Sequence, residues 1–198
     1  MRKLVAGLAM SLDGVVESPE KWGFQYFTDE TYEAISAGVA QADAVLLGRR
    51  TYLEFAELWP NQSSEVPMAD FLNTAPKYVV SATLDTLPWG PASLLSGDLA
   101  EELTRLKRQP GKDILIPGSP TLVRSLLGEG LLDELALSIC PIVVGSGMRL
   151  FDKTATQLPL QLVASRTYST GMLGVGYRPA GADQAASQAR AIGFPGPK

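Results

Sequence analysis

The chain has 198 residues, 45% of them hydrophobic and 19% charged, the make-up of a soluble globular protein with one sizeable core. Its 17 basic and 21 acidic side chains leave a net charge of -4, which offers no basic surface to nucleic acid or to an anionic membrane and points to a small molecule as partner. Histidine is absent and Cys140 is the single cysteine, which excludes Ser-His-Asp and Cys-His catalysis, the common zinc sites and any intramolecular disulfide, and suits a cytoplasmic setting.

Residues 3–10 are apolar nearly throughout and predict a first strand covered on both faces. The basic head and apolar body of this segment are superficially those of a signal peptide, but the apolar part is short and Ser11-Leu12-Asp13-Gly14 follows as a turn. No stretch approaches the ~20 apolar residues of a membrane span. The loop to Thr28 holds Trp22, Phe24, Tyr26 and Phe27, aromatics that either plug one end of the core or wall a planar ring. Thr28 predicts the N-cap of a helix carrying Tyr32, Ile35, Val39 and Ala42 at roughly helical spacing.

A second strand is expected over 43–48, then a helix over 51–58 opened by Thr51 and closed by Pro60. Met68, Phe71 and Leu72 suggest a short helix within 61–75, and 77–83 is a β-rich run ending in small hydroxyl residues. A short strand at 92–95 leads to an amphipathic helix over 97–109, with Leu99, Leu103 and Leu106 on one face and Pro110-Gly111 as its stop. A strand at 113–117 and a helix opened by Gly118-Ser119-Pro120-Thr121 come next, before a long strand region over 132–144. Gly145 to Phe151 reads as a loop with a buried anchor, and 158–168 and 172–178 as a hairpin. Small residues, glutamine, glycine and proline dominate 179–198, which reads as a mobile tail on a single domain of residues 1–178. Strands alternating with helices, then strands joined without helices, predict an α/β fold with a mostly parallel sheet and an antiparallel end.

Ligands of open α/β sheets gather beyond the carboxyl ends of the strands, where helix N-termini point. Three such ends carry suitable groups: Gly48-Arg49-Arg50-Thr51, Ser81-Ala82-Thr83, and Gly118-Ser119-Pro120-Thr121-Leu122. The third exposes backbone N–H groups at a helix start and suits a pyrophosphate, while the arginines with the hydroxyls of Ser81 and Thr83 suit an isolated phosphate. A dinucleotide with an extra ribose phosphate satisfies all three, which favours NADPH over NADH. Neither the Rossmann glycine fingerprint nor a Walker lysine motif occurs.

Ala44 to Tyr52, Tyr78 to Ser81 and Ile114 to Ser119 together resemble the three cofactor segments of the dihydrofolate reductase superfamily. Ala9-Met10-Ser11-Leu12-Asp13-Gly14, Gly130 to Leu135 and Gly145 to Phe151 are similar to the branch containing the C-terminal reductase domain of RibD, the bacterial riboflavin-biosynthesis protein. The resemblance runs in order from residue 3 to 178. It implies a dihydrofolate reductase-like mixed, mostly parallel central sheet flanked by helices with an antiparallel C-terminal hairpin, NADPH as hydride donor, and a homodimer. It further implies that Gly48, Arg49, Arg50 and Thr51 hold cofactor phosphates, Val80, Ser81, Ala82 and Thr83 the adenosine side, and Gly118, Ser119, Pro120, Thr121 and Leu122 the pyrophosphate. Ala9 and the turn at Asp13 approach the nicotinamide in this reading. Where the family usually has adjacent glycines, this chain has Gly118-Ser119-Pro120.

Without histidine, a proton donor must be a carboxyl, tyrosine, lysine or water. Asp13 and Asp29 are the candidate acids, with Glu30 beside the latter, and each has an ordinary structural explanation as a turn or first-turn helix residue. Trp22 and Phe27 are candidate walls for substrate. Lys21 and Arg149 are the basic groups to consider for a phosphorylated ribosylamino-pyrimidine, although Arg149 also fits a loop-tying role. The local pattern Phe27 to Tyr32 does not reproduce the acidic helix start of the folate enzymes. The expected function is an NADPH-dependent reductase of a small heterocyclic or carbonyl compound, with a non-catalytic NADP(H)-binding protein, or a ligand-free scaffold, as alternatives.

Overall fold

In the computed structural model, which describes residues 1–151 and 157–180, eight strands form one sheet. They are β1 (Leu4–Ser11), β2 (Ala42–Gly48), β3 (Lys77–Val80), β4 (Ala92–Leu95), β5 (Asp113–Pro117), β6 (Glu134–Cys140), β7 (Leu160–Thr167) and β8 (Leu173–Pro179). The helices are α1 (Asp29–Val39), α2 (Arg49–Leu58), α3 (Ala69–Thr74), α4 (Leu99–Arg108) and α5 (Pro120–Gly128). The strand order is β4-β3-β2-β5-β1-β6-β8-β7, parallel from β4 to β6, with β8 antiparallel to both of its neighbours. This is the mostly parallel sheet with an antiparallel C-terminal hairpin that the sequence predicts.

The alternation along β1 sets the two faces. Leu4, Ala6 and Leu8 pack with Ile114 and Ile116 of β5 and Leu135 and Leu137 of β6 beneath α4 and α5, which contribute Leu103, Leu106, Val123, Leu126 and Leu127. Each buried Leu or Ile side chain here contributes roughly 1.5–3 kcal/mol of transfer free energy. On the other face, Val45, Leu47 and Val79 meet Tyr52 of α2, Leu72 of α3 and Trp89. The second face opens over β1: Val5, Gly7 and Ala9 are half-buried, and a side chain at Gly7 would meet no atom within 4 Å. Gly7 and Ala9 align with Ala136 and Ser138 of β6, so small residues floor this opening.

Several element ends differ from expectation for identifiable reasons. β3 stops at Val80 rather than 83 because the Ser81 hydroxyl accepts the N–H groups of Thr83 and Leu84 at 3.2 and 3.1 Å, folding the chain into a turn. β6 stops at Cys140 rather than 144 because the Asp13 carboxylate takes the N–H groups of Val144 and Gly145, both at 2.9 Å. The buried anchor of the following loop is Leu150. β8 reaches Pro179, and Ala180 donates to the carbonyl of Pro159 at 2.9 Å. Residues 181–198, the remainder of the expected tail, lie outside the described residues. Among the described residues no helix is long and apolar enough to cross a membrane.

Candidate functional site

Two helix N-termini meet at the carboxyl ends of β2 and β5. α2 begins at Arg49, two residues before the expected Thr51, because Gly48 is itself the N-cap in an extended conformation. α5 begins at Pro120 with Ser119 as N-cap, and the Ser119 hydroxyl, instead of capping its own helix, accepts the backbone N–H of Gly48 at 3.0 Å. Leu122 and Ser119 lie against Gly48, where a Cβ would stand 3.7 Å from each, and Thr51 would stand 3.5 Å from a Cβ on Gly118. Gly48, Thr51, Gly118, Ser119 and Leu122 are therefore neighbours in space although β2 and β5 are far apart in sequence.

The backbone at this junction is unusual. Gly118 has φ 90° and Ser119 has φ 54°, the left-handed region that costs a non-glycine residue of order 1 kcal/mol. Capping distinguishes the helices as well. α1 has a capping box between Thr28 and Thr31, and the Asp98 carboxylate accepts the N–H of Glu101 in α4. Neither α2 nor α5 has a side-chain cap, so the leading N–H groups of both lack a side-chain partner on the positive end of a helix dipole. Such a pair of helix starts can take an anion, and the residues present fit the phosphates of a dinucleotide.

The arginines differ in their surroundings. Arg49 is exposed and has no hydrogen bond or ion pair among the described residues. Arg50 donates from Nε to Glu54 Oε1 at 2.8 Å and lies 3.8 Å from Glu17 Oε1. On the adjacent strand Val80 aligns with Gly48, followed by the buried Ser81 and the exposed Ala82 and Thr83. The Ser81 oxygen is already an acceptor for two N–H groups, which leaves its hydroxyl proton as the group it can offer.

Asp13 is the hub of the other side of the opening. Its carboxylate accepts from the N–H of Val144 and Gly145, the hydroxyl of Ser11 at 2.7 Å and the Arg149 guanidinium at 3.1 Å. These bonds, led by that from Val144, hold the carboxyl well below the usual carboxylate range. Asp13 is thus a hydrogen-bond acceptor that ties the loops after β1 and β6 together. Arg149 is spent on the same tie, donating also to the carbonyls of Asp13 and Gly145.

Asp29 is exposed in the first turn of α1 and its side chain makes no hydrogen bond or ion pair among the described residues. Glu30 instead accepts from the N–H and hydroxyl of Ser169, whose bonds hold its carboxyl below the ordinary value. Trp22 is a core residue, packed with Cys140, Tyr168 and Met172 and donating from its indole to the Glu17 carbonyl at 2.9 Å. Phe27 packs beside that cluster, with Phe24 and Tyr32 rings at 5.4 and 5.9 Å. Trp22 thus plugs one end of the core, while Phe27 is half-buried at its margin. Burial pushes the Cys140 thiol up to about 11, which makes it inert. Glu17 was not legible from sequence, since the partners of its carboxylate, Met148 N–H and Arg50, come from other elements.

A half-open, mostly parallel sheet whose strand ends converge on two helix starts without side-chain caps defines an α/β protein of dihydrofolate reductase-like architecture. The profile of the RibD C-terminal domain family matches residues 2–173, and the chain belongs to that family. It is 28% identical over 179 residues to the uncharacterized protein YyaP of Bacillus subtilis (strain 168), covering 89% of this chain and 94% of that one. Among solved structures, a candidate riboflavin biosynthesis protein from Shewanella sp. PV-4 superposes with a TM-score of 0.74 at 20% identity, covering 90% of this chain and 99% of that chain. Dihydrofolate reductase from Enterococcus faecalis, complexed with NADP(H) and RAB-propyl, superposes with a TM-score of 0.60 at 13% identity, covering 90% and 97% respectively.

Proposed function

We propose that this chain is an NADPH-dependent reductase that transfers a hydride to a small heterocyclic or carbonyl substrate. The observation that carries the reading is the hydrogen bond from Gly48 to Ser119, which joins two helix starts without side-chain caps into one anion cradle. In this reading Gly48, Arg49 and Thr51 face phosphate, Gly118, Ser119, Thr121 and Leu122 face the pyrophosphate, and Val80 to Thr83 flank the adenosine. Pro120 lacks an N–H and contributes only its helix-ready φ. Bound NADPH would supply the hydride. The small residues Gly7 and Ala9 leave room for a planar ring over β1, while the Asp13 tie fixes the loops bordering that room. Family membership supports a reductase, and 5-amino-6-(5-phosphoribosylamino)uracil is one substrate to test. Arg149, already committed to Asp13, argues against a strong phosphate grip on the substrate side.

A second reading, an NADP(H)-binding protein without catalysis, is favoured by one observation: the Asp13 carboxylate is already occupied as the acceptor of the Val144 and Gly145 N–H groups. Under the first reading the proton comes from water. A homodimer goes with either, because the edge strand β7 exposes Leu162 and Val163 at 49% and 38%, the kind of strand that a second copy covers.

Titration of the purified protein with NADPH and NADH tests the cofactor. Preferential NADPH binding that falls when Arg49 and Arg50 are both replaced by alanine supports it, and binding of neither nucleotide at millimolar concentration overturns it. NADPH oxidation with pteridines, aminopyrimidines and quinones then separates the two readings, since tight binding without turnover selects the second.

A further inference from the structure

The two arginines that open α2 are adjacent in sequence and unequal in the fold. Arg49 has no partner among the described residues. Arg50 stands between two carboxylates, Glu54 one turn along the same helix at 2.8 Å and Glu17 from the loop after β1 at 3.8 Å. Glu17 is held there independently of Arg50. Its Oε2 accepts the N–H of Met148 at 2.9 Å, its carbonyl accepts the Trp22 indole N–H at 2.9 Å, and neighbouring Val16 donates to the carbonyl of Met148 at 2.9 Å. The facing loop is shaped to this carboxylate: at Gly147, with φ 116°, a Cβ would approach Glu17 Oε2 to 3.3 Å and Val15 Cγ1 to 3.0 Å.

We propose that Glu17 is a specificity-determining residue for the nucleotide: with Glu54 it withdraws Arg50 from anion binding and leaves Arg49 to read the ribose phosphate. The inference rests on the NADPH reading above. The pair that sequence presents as two positive charges is, in the fold, one available guanidinium beside a clamp of one cation and two carboxylates. A phosphate approaching Arg50 meets net negative charge and must displace a charge-assisted hydrogen bond, whereas at Arg49 it displaces only water. Exposure screens these interactions without reversing their sign. Arg50 serves instead to pin the loops after β1 and β6 to the start of α2.

Glu17→Gln isolates the charge, because the amide oxygen can still accept the Met148 N–H. The dissociation constants of NADPH and NADH are measured by nucleotide fluorescence for the wild type, Arg49→Ala, Arg50→Ala and the triple variant Arg49→Ala/Glu17→Gln/Glu54→Gln. Arg49→Ala is expected to lower the NADPH preference by about tenfold or more, and Arg50→Ala by less than about threefold. The triple variant, with Arg50 released, is expected to regain at least roughly threefold over Arg49→Ala. Equal losses in the two single variants, a larger loss in Arg50→Ala, or no regain in the triple variant overturns the inference while leaving the NADPH reading intact. Failure of the wild type to bind or to prefer NADPH overturns that reading itself.

Discussion

Ser119 spends its hydroxyl on the backbone N–H of Gly48, 3.0 Å away, and so sets the distance between the first turns of α2 and α5. Replacing it by alanine leaves that N–H without its partner at a position half shielded from water, a loss of about 1 kcal/mol. Glycine loses the same bond but adopts the left-handed backbone of φ 54° without strain, which returns up to about 1 kcal/mol. Urea unfolding is therefore expected to rank wild type and Ser119→Gly above Ser119→Ala. NADPH affinity separates stability from site geometry, since both variants lose the tie and both are expected to bind more weakly than the wild type.

Tyr52 makes a comparable closure on the opposite side of α2. Its hydroxyl donates to the carbonyl of Trp89 and accepts the N–H of the same residue, each at 2.9 Å, and the ring is fully buried. Tyr52→Phe keeps the packing and leaves two buried backbone groups unsatisfied, so a destabilisation of about 1–3 kcal/mol is expected in chemical unfolding. A change below about 0.5 kcal/mol would mean that water replaces the hydroxyl.

Much of the strand and helix framework was legible from its periods and punctuation: β4 and β5 lie at the predicted residues, and the hairpin and α5 follow their glycine and proline signals, whereas Ala42, expected on the first helix, begins β2. What escaped was settled by bonds between distant segments. Nothing near Thr51 shows that Gly48 caps α2, because the residue completing that cap region, Ser119, belongs to another strand end. The length of β6 depends on Asp13, and the position of Arg50 depends on Glu17, both from the loop after β1. Trp22 could be read as core or as site from composition alone, and its burial beside Cys140, Tyr168 and Met172 places it in the core.

Asp13 makes the loop tie dependent on pH. Its carboxyl titrates well below the 3.8 of an unstrained aspartate, so the unfolded chain takes up the proton first. The stabilisation is complete above the unfolded value and is lost as pH falls below it toward the folded value. The stability difference between wild type and Asp13→Asn is thus expected to be constant from neutral pH to about 5 and to shrink below about 4. If the difference instead changes near neutral pH, the carboxyl is not held ionised by Val144 and Gly145. Were Asp13 the proton donor, Asp13→Asn would also remove a limb from the pH profile of kcat, and no such loss is expected.

Lys77 carries the opposite kind of titration at the far end of β3. Its side chain is fully buried, with the ammonium donating to the carbonyls of Ala75 at 3.0 Å and of Asn73 and Gly90 at 3.4 Å, and standing 4.3 Å from the centre of the Trp89 ring. Burial nevertheless pushes it from 10.5 down to about 8. Between these two values the unfolded chain binds more proton than the folded one, so stability contributed at this position rises with pH across that window and is flat below it. Relative to Lys77→Met, which cannot titrate, the wild type is expected to gain at most about 1.4 kcal/mol per pH unit from about 8 upward. Urea unfolding of both proteins at closely spaced pH values measures the slope difference. Parallel curves would show that the three carbonyls and the indole ring offset the cost of burial and keep the ammonium at its ordinary value.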